Sequence, residues 1–137
     1  MSEQHLVVIA IDFGTKRMGI AVGQTLTKTA QTIKPVPVFD NLPDVDQFKK
    51  VIEQWQPHLA IIGKPATCSK GFTKKLNRLA NFLHEEYQLS HQFIDESLTT
   101  EQANVELHAD SVKSHQKQAK RDSIAARLIL ETYFGIL

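Results

Sequence analysis

The sequence predicts one α/β domain over residues 1–137, a five-stranded mixed sheet of order 3-2-1-4-5 with helices on both faces. Three observations carry that expectation. Leu6 to Ile11 is a continuous apolar run rich in β-branched residues, as in a central strand buried on both sides. Two more strand-like runs follow at short spacing, which suits consecutive hairpins. From Val45 onward the apolar period alternates between helical stretches and short buried runs, as in crossover units that add parallel strands.

In chain order, Gly14 supplies a turn after the first strand, and Met18 to Val22 reads as its hairpin partner. Thr32 to Phe39 is a third strand. It carries Pro35 and Pro37, which lack the ladder donor, so it is expected at an edge. Val45, Phe48, Ile52 and Trp55 mark one helical face, and Pro57 lies just past its end. Leu59 to Ile62 is a buried strand closed by Gly63. Phe72, Leu76, Leu79, Leu83 and Tyr87 mark a second helix, and Gln92 to Asp95 a last short strand. Thr99 and Gln102 match a helix-start capping box. His108 to Gln118 is polar and reads as a mobile stretch, a candidate flap, before a final helix from Ser123 to Phe134.

Composition excludes several function classes. A hydrophobic content of 42% and a charged content of 23% suit a soluble globular protein. No apolar run approaches the ~20 residues needed to span a bilayer. The polar start, Met1 to His5, does not resemble a signal peptide, so a cytoplasmic location is expected. Cys68 is the one cysteine, which rules out an internal disulfide and suits a reducing compartment. His5, His58, His84, His91, His108 and His115 have no zinc-like spacing.

The net charge is only +1, yet its distribution is uneven. Between Gln54 and His84 there is no acid, while Lys64, Lys70, Lys74, Lys75 and Arg78 all fall inside. A second basic group holds Lys113, Lys117, Lys120, Arg121 and Arg127, with Asp122 in its middle. Such patches can attract phosphate. A solvated helix face explains either of them taken alone.

The acids carry more. Ligands of open α/β sheets gather at the carboxyl ends of the parallel strands. Asp12 follows the first strand, Asp95 and Glu96 follow the fifth, and Asp122 is expected to open the last helix. Close carboxylates repel one another unless a cation joins them, and hard Mg²⁺ or Mn²⁺ prefers oxygen donors. Paired ions of that kind activate water and stabilise the leaving oxygen of a phosphodiester. Each acid also has a bland reading: Asp12 as a turn residue, Asp122 as a helix cap, Glu96 as a solvated charge.

The stretch Ile11-Asp12-Phe13-Gly14-Thr15-Lys16-Arg17-Met18-Gly19-Ile20-Ala21-Val22 resembles the opening signature of the YqgF family. Those bacterial ribonuclease H-like proteins are described as candidate Holliday-junction resolvases and as nucleases maturing the small-subunit ribosomal RNA precursor. Ile61-Ile62-Gly63-Lys64-Pro65, Asp95-Glu96-Ser97-Leu98-Thr99-Thr100 and Asp122-Ser123-Ile124-Ala125-Ala126 resemble its later blocks, in order.

The resemblance implies an RNase H-like fold and a metal-dependent nuclease using Mg²⁺ or Mn²⁺. It implies Asp12, Glu96 and Asp122 as metal-binding catalytic acids. Lys16 and Arg17 would contact phosphate, and Thr99 and Thr100 would fix the helix start behind Glu96. Lys64, Lys113, Lys117, Lys120 and Arg121 are further candidates for substrate contact. The implied partner is nucleic acid, RNA before DNA, with ribosomal precursor particles and a monomer or weak homodimer.

Two departures stand out. Ser97 replaces the family's usual arginine, and Lys64 with Ala66-Thr67-Cys68-Ser69 replaces its apolar residue and Asn- and Gly-containing turn. Lys64 is expected to restore part of the lost charge.

Three other functions compete: a Holliday-junction-type DNA resolvase, a non-catalytic RNA- or ribosome-binding module of this fold, and an actin-like ATPase. The last would need a second domain and a second glycine-rich phosphate loop, whereas this sequence reads as one domain's worth of chain with no second loop. Cys68 lacks a paired histidine, Trp55 suits the core better than base stacking, and His115 suits a solvated loop.

Overall fold

The computed structural model describes residues 6–95 and 114–135, and of 114–122 the backbone alone. The elements are β1 (Val7–Asp12), β2 (Arg17–Gln24), β3 (Thr29–Phe39), β4 (Leu42–Pro43), α1 (Val45–Trp55), β5 (Leu59–Lys64), α2 (Lys70–Tyr87), β6 (Ser90–Asp95) and α3 (Ser114–Phe134). One sheet of order β4-β3-β2-β1-β5-β6 carries them. β1 is antiparallel to β2, while β1, β5 and β6 run parallel.

The expected order therefore stands for five strands, with one correction at the margin. The two-residue β4 pairs with Val38 and Phe39, so β3 is covered at that end and is not the outermost strand there. Pro35 is accommodated by an irregularity. Met18 faces Val36 but Ile20 faces Ile33, so Lys34 and Pro35 together oppose Gly19. A bulge tolerates the missing donor that a regular ladder would not.

Side chains of β1 alternate between two cores. Ile9 and Ile11 join Met18, Ile20, Val22, Ile62, Phe48 and Leu76 beneath α1 and α2. Val8 and Ala10 join Ala21, Ile61, Ala126, Ile129 and Leu130 beneath α3. With residues 8 to 11 fully buried, β1 is the central strand that its apolar run required.

The caps explain where α1 and α2 begin and end. The Asp44 carboxylate accepts from the Gln47 amide at 3.0 Å, and the Ser69 hydroxyl oxygen accepts from the Phe72 amide at 3.1 Å. Gln56 and Gln88 close the two helices in the left-handed conformation.

The start of α3 is a second correction. It begins at Ser114, so Ser114 to Gln118 is helical and Asp122 lies inside the helix instead of opening it. The segment lacks an apolar stripe and so carried no helical period. It is nonetheless built from Gln, Lys, Ala and Arg, all good helix formers. The helical part of the expected flap is thus no loop, while 108–113 and the Thr99–Gln102 box lie outside the described residues. Among the described residues, no helix is long and apolar enough to cross a membrane.

Candidate active site at the carboxyl end of the sheet

Asp12 is the last residue of β1, half-buried, and pairs with Gly19. Strand alternation puts it in the row of Val8 and Ala10, on the face that α3 covers. The turn behind it is tight: a Cβ on Gly14 would come within 2.6 Å of the Arg17 carbonyl oxygen. Glycine at 14 therefore lets the chain reverse directly beside the carboxylate. The turn is also tied to β3, because the Val38 amide donates to the Lys16 carbonyl at 2.9 Å.

α3 reaches the same end by a different tie. The Ser123 hydroxyl donates to the Ile33 carbonyl at 3.1 Å, and Ser123 is 8% exposed. Ile33 faces Ile20, and Ile20 faces Ile11, so this bond sits level with the residue before Asp12. Further along, Leu130 and Phe134 lie 3.0 Å from where a Cβ on Gly23 would be, and Gly23 pairs with Val8 at the other end of β1. α3 thus runs antiparallel to β1, with position 122 arriving at the carboxyl end. Position 122 lies one turn before Ala126 and two before Ile129, both fully buried against the sheet.

β6 completes the end of the sheet. Its last residue, Asp95, pairs with Lys64, the last of β5. Glu96 follows directly but lies outside the described residues, as do Ser97, Thr99, Thr100 and Lys113. Lys117, Lys120, Arg121 and His115 fall on the first turns of α3, where only the backbone is described.

Lys16 is exposed on the β1–β2 turn, and Arg17, half-buried, opens β2. Lys64 is half-buried with its Nζ 5.8 Å from the Phe93 ring centroid. Arg127, counted above with the basic cluster, pairs with Glu131 at 3.5 Å one turn along α3. Of the α2 cations, Arg78 reaches back to Asp40, with 3.8 Å between charged atoms.

The weaker candidates resolve as structure. Trp55 packs against the main core. Cys68 is half-buried and accepts from the Thr73 hydroxyl at 3.3 Å, which helps seat the start of α2.

Two residues escaped the sequence reading. Ser123 was visible only as part of a motif, since nothing in a helical segment reveals a bond to a strand 90 residues away. Phe93 was read as part of a short strand, and its exposure follows from β6 being the edge.

A metal site needs several hard oxygen donors. Among the described residues no group of three or more His, Cys, Asp or Glu gathers. The described part of the proposed donor set is Asp12, a half-buried carboxylate on rigid strand, which suits an oxygen-seeking cation.

The comparisons with known proteins bear on what this arrangement is for. The profile of the family described as RuvX, Holliday junction resolvase, matches residues 6–135. A protein of Glaesserella parasuis named as a candidate pre-16S rRNA nuclease is 39% identical, over 93% of this chain and 94% of that protein. One of Acinetobacter baylyi with the same name is 31% identical, over 97% of this chain and 92% of that protein.

Among solved structures, Thermus thermophilus RuvC in complex with a Holliday junction substrate is 15% identical, with a TM-score of 0.52 over 96% of this chain and 98% of that one. The fowlpox virus resolvase with Holliday junction DNA is 14% identical, with a TM-score of 0.55 over 95% of this chain and 97% of that one. At such identities these two establish the RNase H-like resolvase fold. The YqgF resemblance is thereby borne out: the chain belongs to the RuvX family of Holliday junction resolvases, a family of phosphodiester-hydrolysing nucleases.

Proposed function

We propose that this protein is a metal-dependent nuclease that processes the 5′ end of pre-16S rRNA, with Asp12, Glu96 and Asp122 as its acids. The observation that carries the reading is the carboxylate of Asp12, anchored at the carboxyl end of the central strand on the face where α3 brings in position 122. Mg²⁺, or Mn²⁺ in its place, held by these acids would activate water and neutralise charge at the phosphate.

The chain's own residues supply position and charge. β1, buried on both faces, holds the Asp12 carboxylate without reorganisation during the reaction. Lys16 and Arg17, on the turn beside it, bind and orient the phosphate, and Lys64 extends the positive edge toward β6. In the reaction a water oxygen bonds to phosphorus, one bridging ester oxygen departs, and that oxygen leaves protonated. No covalent intermediate with the protein forms.

RNA is favoured over DNA because relatives that align over nearly their whole length carry the ribosomal RNA name. The junction-bound structures share only the fold at 14–15% identity. Ribosomal precursor particles are the proposed partner, the cytoplasm the proposed location, and a monomer or weak homodimer the proposed state. Junction resolution is the second reading, favoured by the family's description.

The test is cleavage of labelled RNA spanning the 5′ boundary of the 16S sequence beside a four-way DNA junction, in Mg²⁺ or Mn²⁺. Cutting of the RNA at a defined site supports the proposal, and cutting of the junction alone supports the resolvase. Binding of either without cutting supports a non-catalytic module.

A further inference from the structure

We infer that Phe93, with Lys64 and His91, forms a stacking subsite for an unpaired nucleobase of the strand that reaches Asp12, an inference that rests on the nuclease reading above. Phe93 lies on the edge strand β6 and is 37% exposed, while Ile62, its partner in β5, is fully buried. The helices therefore cover β5 and leave the Phe93 ring open.

The ring is not a bare apolar residue at a sheet margin. The Lys64 ammonium stands 5.8 Å from its centroid, and the His91 ring packs edge-on at 5.2 Å and 73°. Lys64, Pro65, Ala66, Phe93, Ile94 and Asp95 line an open cleft of about 410 Å³, within the size range of ligand sites.

An aromatic face beside a cation matches a nucleobase followed by its phosphate. The Lys64 ammonium lies over the ring, so an incoming base displaces it to stack on Phe93, and the ammonium turns to meet the phosphate. Among the described residues Asp95 is the carboxylate on the cleft wall, so the phosphate lies on the Lys64 side.

The register fixes how far this is from the chemistry. Phe93 faces Ile62, and Ile62 faces Ile11, so Phe93 stands about 10 Å across the sheet from the residue before Asp12. Phe93 shares the α1–α2 face with Ile62 and Ile11, whereas Asp12 lies on the α3 face. A strand touching both must cross the carboxyl edge of the sheet near Lys64. A base stacked inside a duplex cannot reach the Phe93 ring, so the subsite selects unpaired strand.

The experiment is fluorescence anisotropy in EDTA, with single-stranded RNA and DNA dodecamers and their duplexes, on wild type, Phe93→Ala and Phe93→Trp. Phe93→Ala weakens single-strand binding by about tenfold and leaves duplex binding within about twofold, whereas Phe93→Trp binds as wild type does. A scan of single abasic sites along the strand, on wild-type protein, shows one position with the same loss, and Phe93→Ala is insensitive there. The RNA and DNA arms report which strand the subsite takes.

Equal losses on single strand and duplex, or no sensitive abasic position, overturn the subsite. If wild type cuts substrate and the abasic scan is flat, the nuclease stands without it. If the scan shows the position but no substrate is cut, the subsite stands and catalysis fails. Absence of all nucleic-acid binding overturns both.

Discussion

The hydroxyl of Ser123 donates to the carbonyl oxygen of Ile33 at 3.1 Å, joining α3 to β3 level with the end of the central strand. Among the described residues it is the buried polar side chain. Apolar packing by Ala126, Ile129 and Leu130 holds α3 on the sheet but leaves its slide and rotation soft. A directional bond removes that freedom one residue from Asp122.

Ser123→Ala is therefore expected to lower stability by about 1 kcal/mol, the usual worth of one such bond. Cleavage should fall further than that loss explains, with kcat reduced and KM held, because the bond positions the helix that carries an acid. Thermal melts and steady-state kinetics check both. Unchanged kcat in a folded variant would show that Ser123 anchors the helix and nothing more.

Two glycines separate site geometry from folding. A Cβ at Gly23 would lie 2.0 Å from the Thr29 carbonyl oxygen and 3.0 Å from both Leu130 and Phe134. Gly23→Val is expected to cost more than about 3 kcal/mol, since backbone and helix must both move. At Gly14 the only clash is local, 2.6 Å to the Arg17 carbonyl oxygen. Gly14→Ala forces the turn backbone itself to shift, so it should cost about 1–3 kcal/mol, less than Gly23→Val, and reduce cleavage about tenfold or more by displacing the turn beside Asp12. Urea denaturation together with activity separates the two effects.

Phe48, Phe82 and Tyr87 form the aromatic seam between α1 and α2, with centroids 5.7 to 6.4 Å apart. Phe48 is fully buried, so Phe48→Ala should cost about 3–5 kcal/mol in a denaturant titration.

The Tyr87 phenol is held above the ordinary tyrosine range near 10, first by burial and then by the Glu86 and Glu53 carboxylates. The folded state thus keeps the Tyr87 proton to higher pH than the unfolded chain does. Its contribution is fully present below about pH 10 and is lost as pH rises through the folded value. Stability should decline above pH 10, and Tyr87→Phe should decline less over the same window.

Much of this was legible in the chain. The unbroken apolar run of β1 could only be a central strand, and the change of period at Val45 announced crossover helices, so the five-strand order followed. Asp12 was legible because it ends that run. What escaped the sequence depended on contacts between distant segments. β4 is two residues held by Val38 and Phe39, too short to show a period. The first turns of α3 have no apolar stripe to reveal them. Ser123 and Phe93 acquire meaning only from what β3 and the sheet edge place beside them.

The central claim is that Asp12 holds the cation at the carboxyl end of β1, and Asp12→Asn tests it most directly. Single-turnover cleavage of labelled RNA should fall at least about a thousandfold in Mn²⁺, matching wild type in EDTA, while the melting temperature is kept or raised. Cleavage by a folded Asp12→Asn protein within about tenfold of wild type would contradict the account and move the chemistry away from β1.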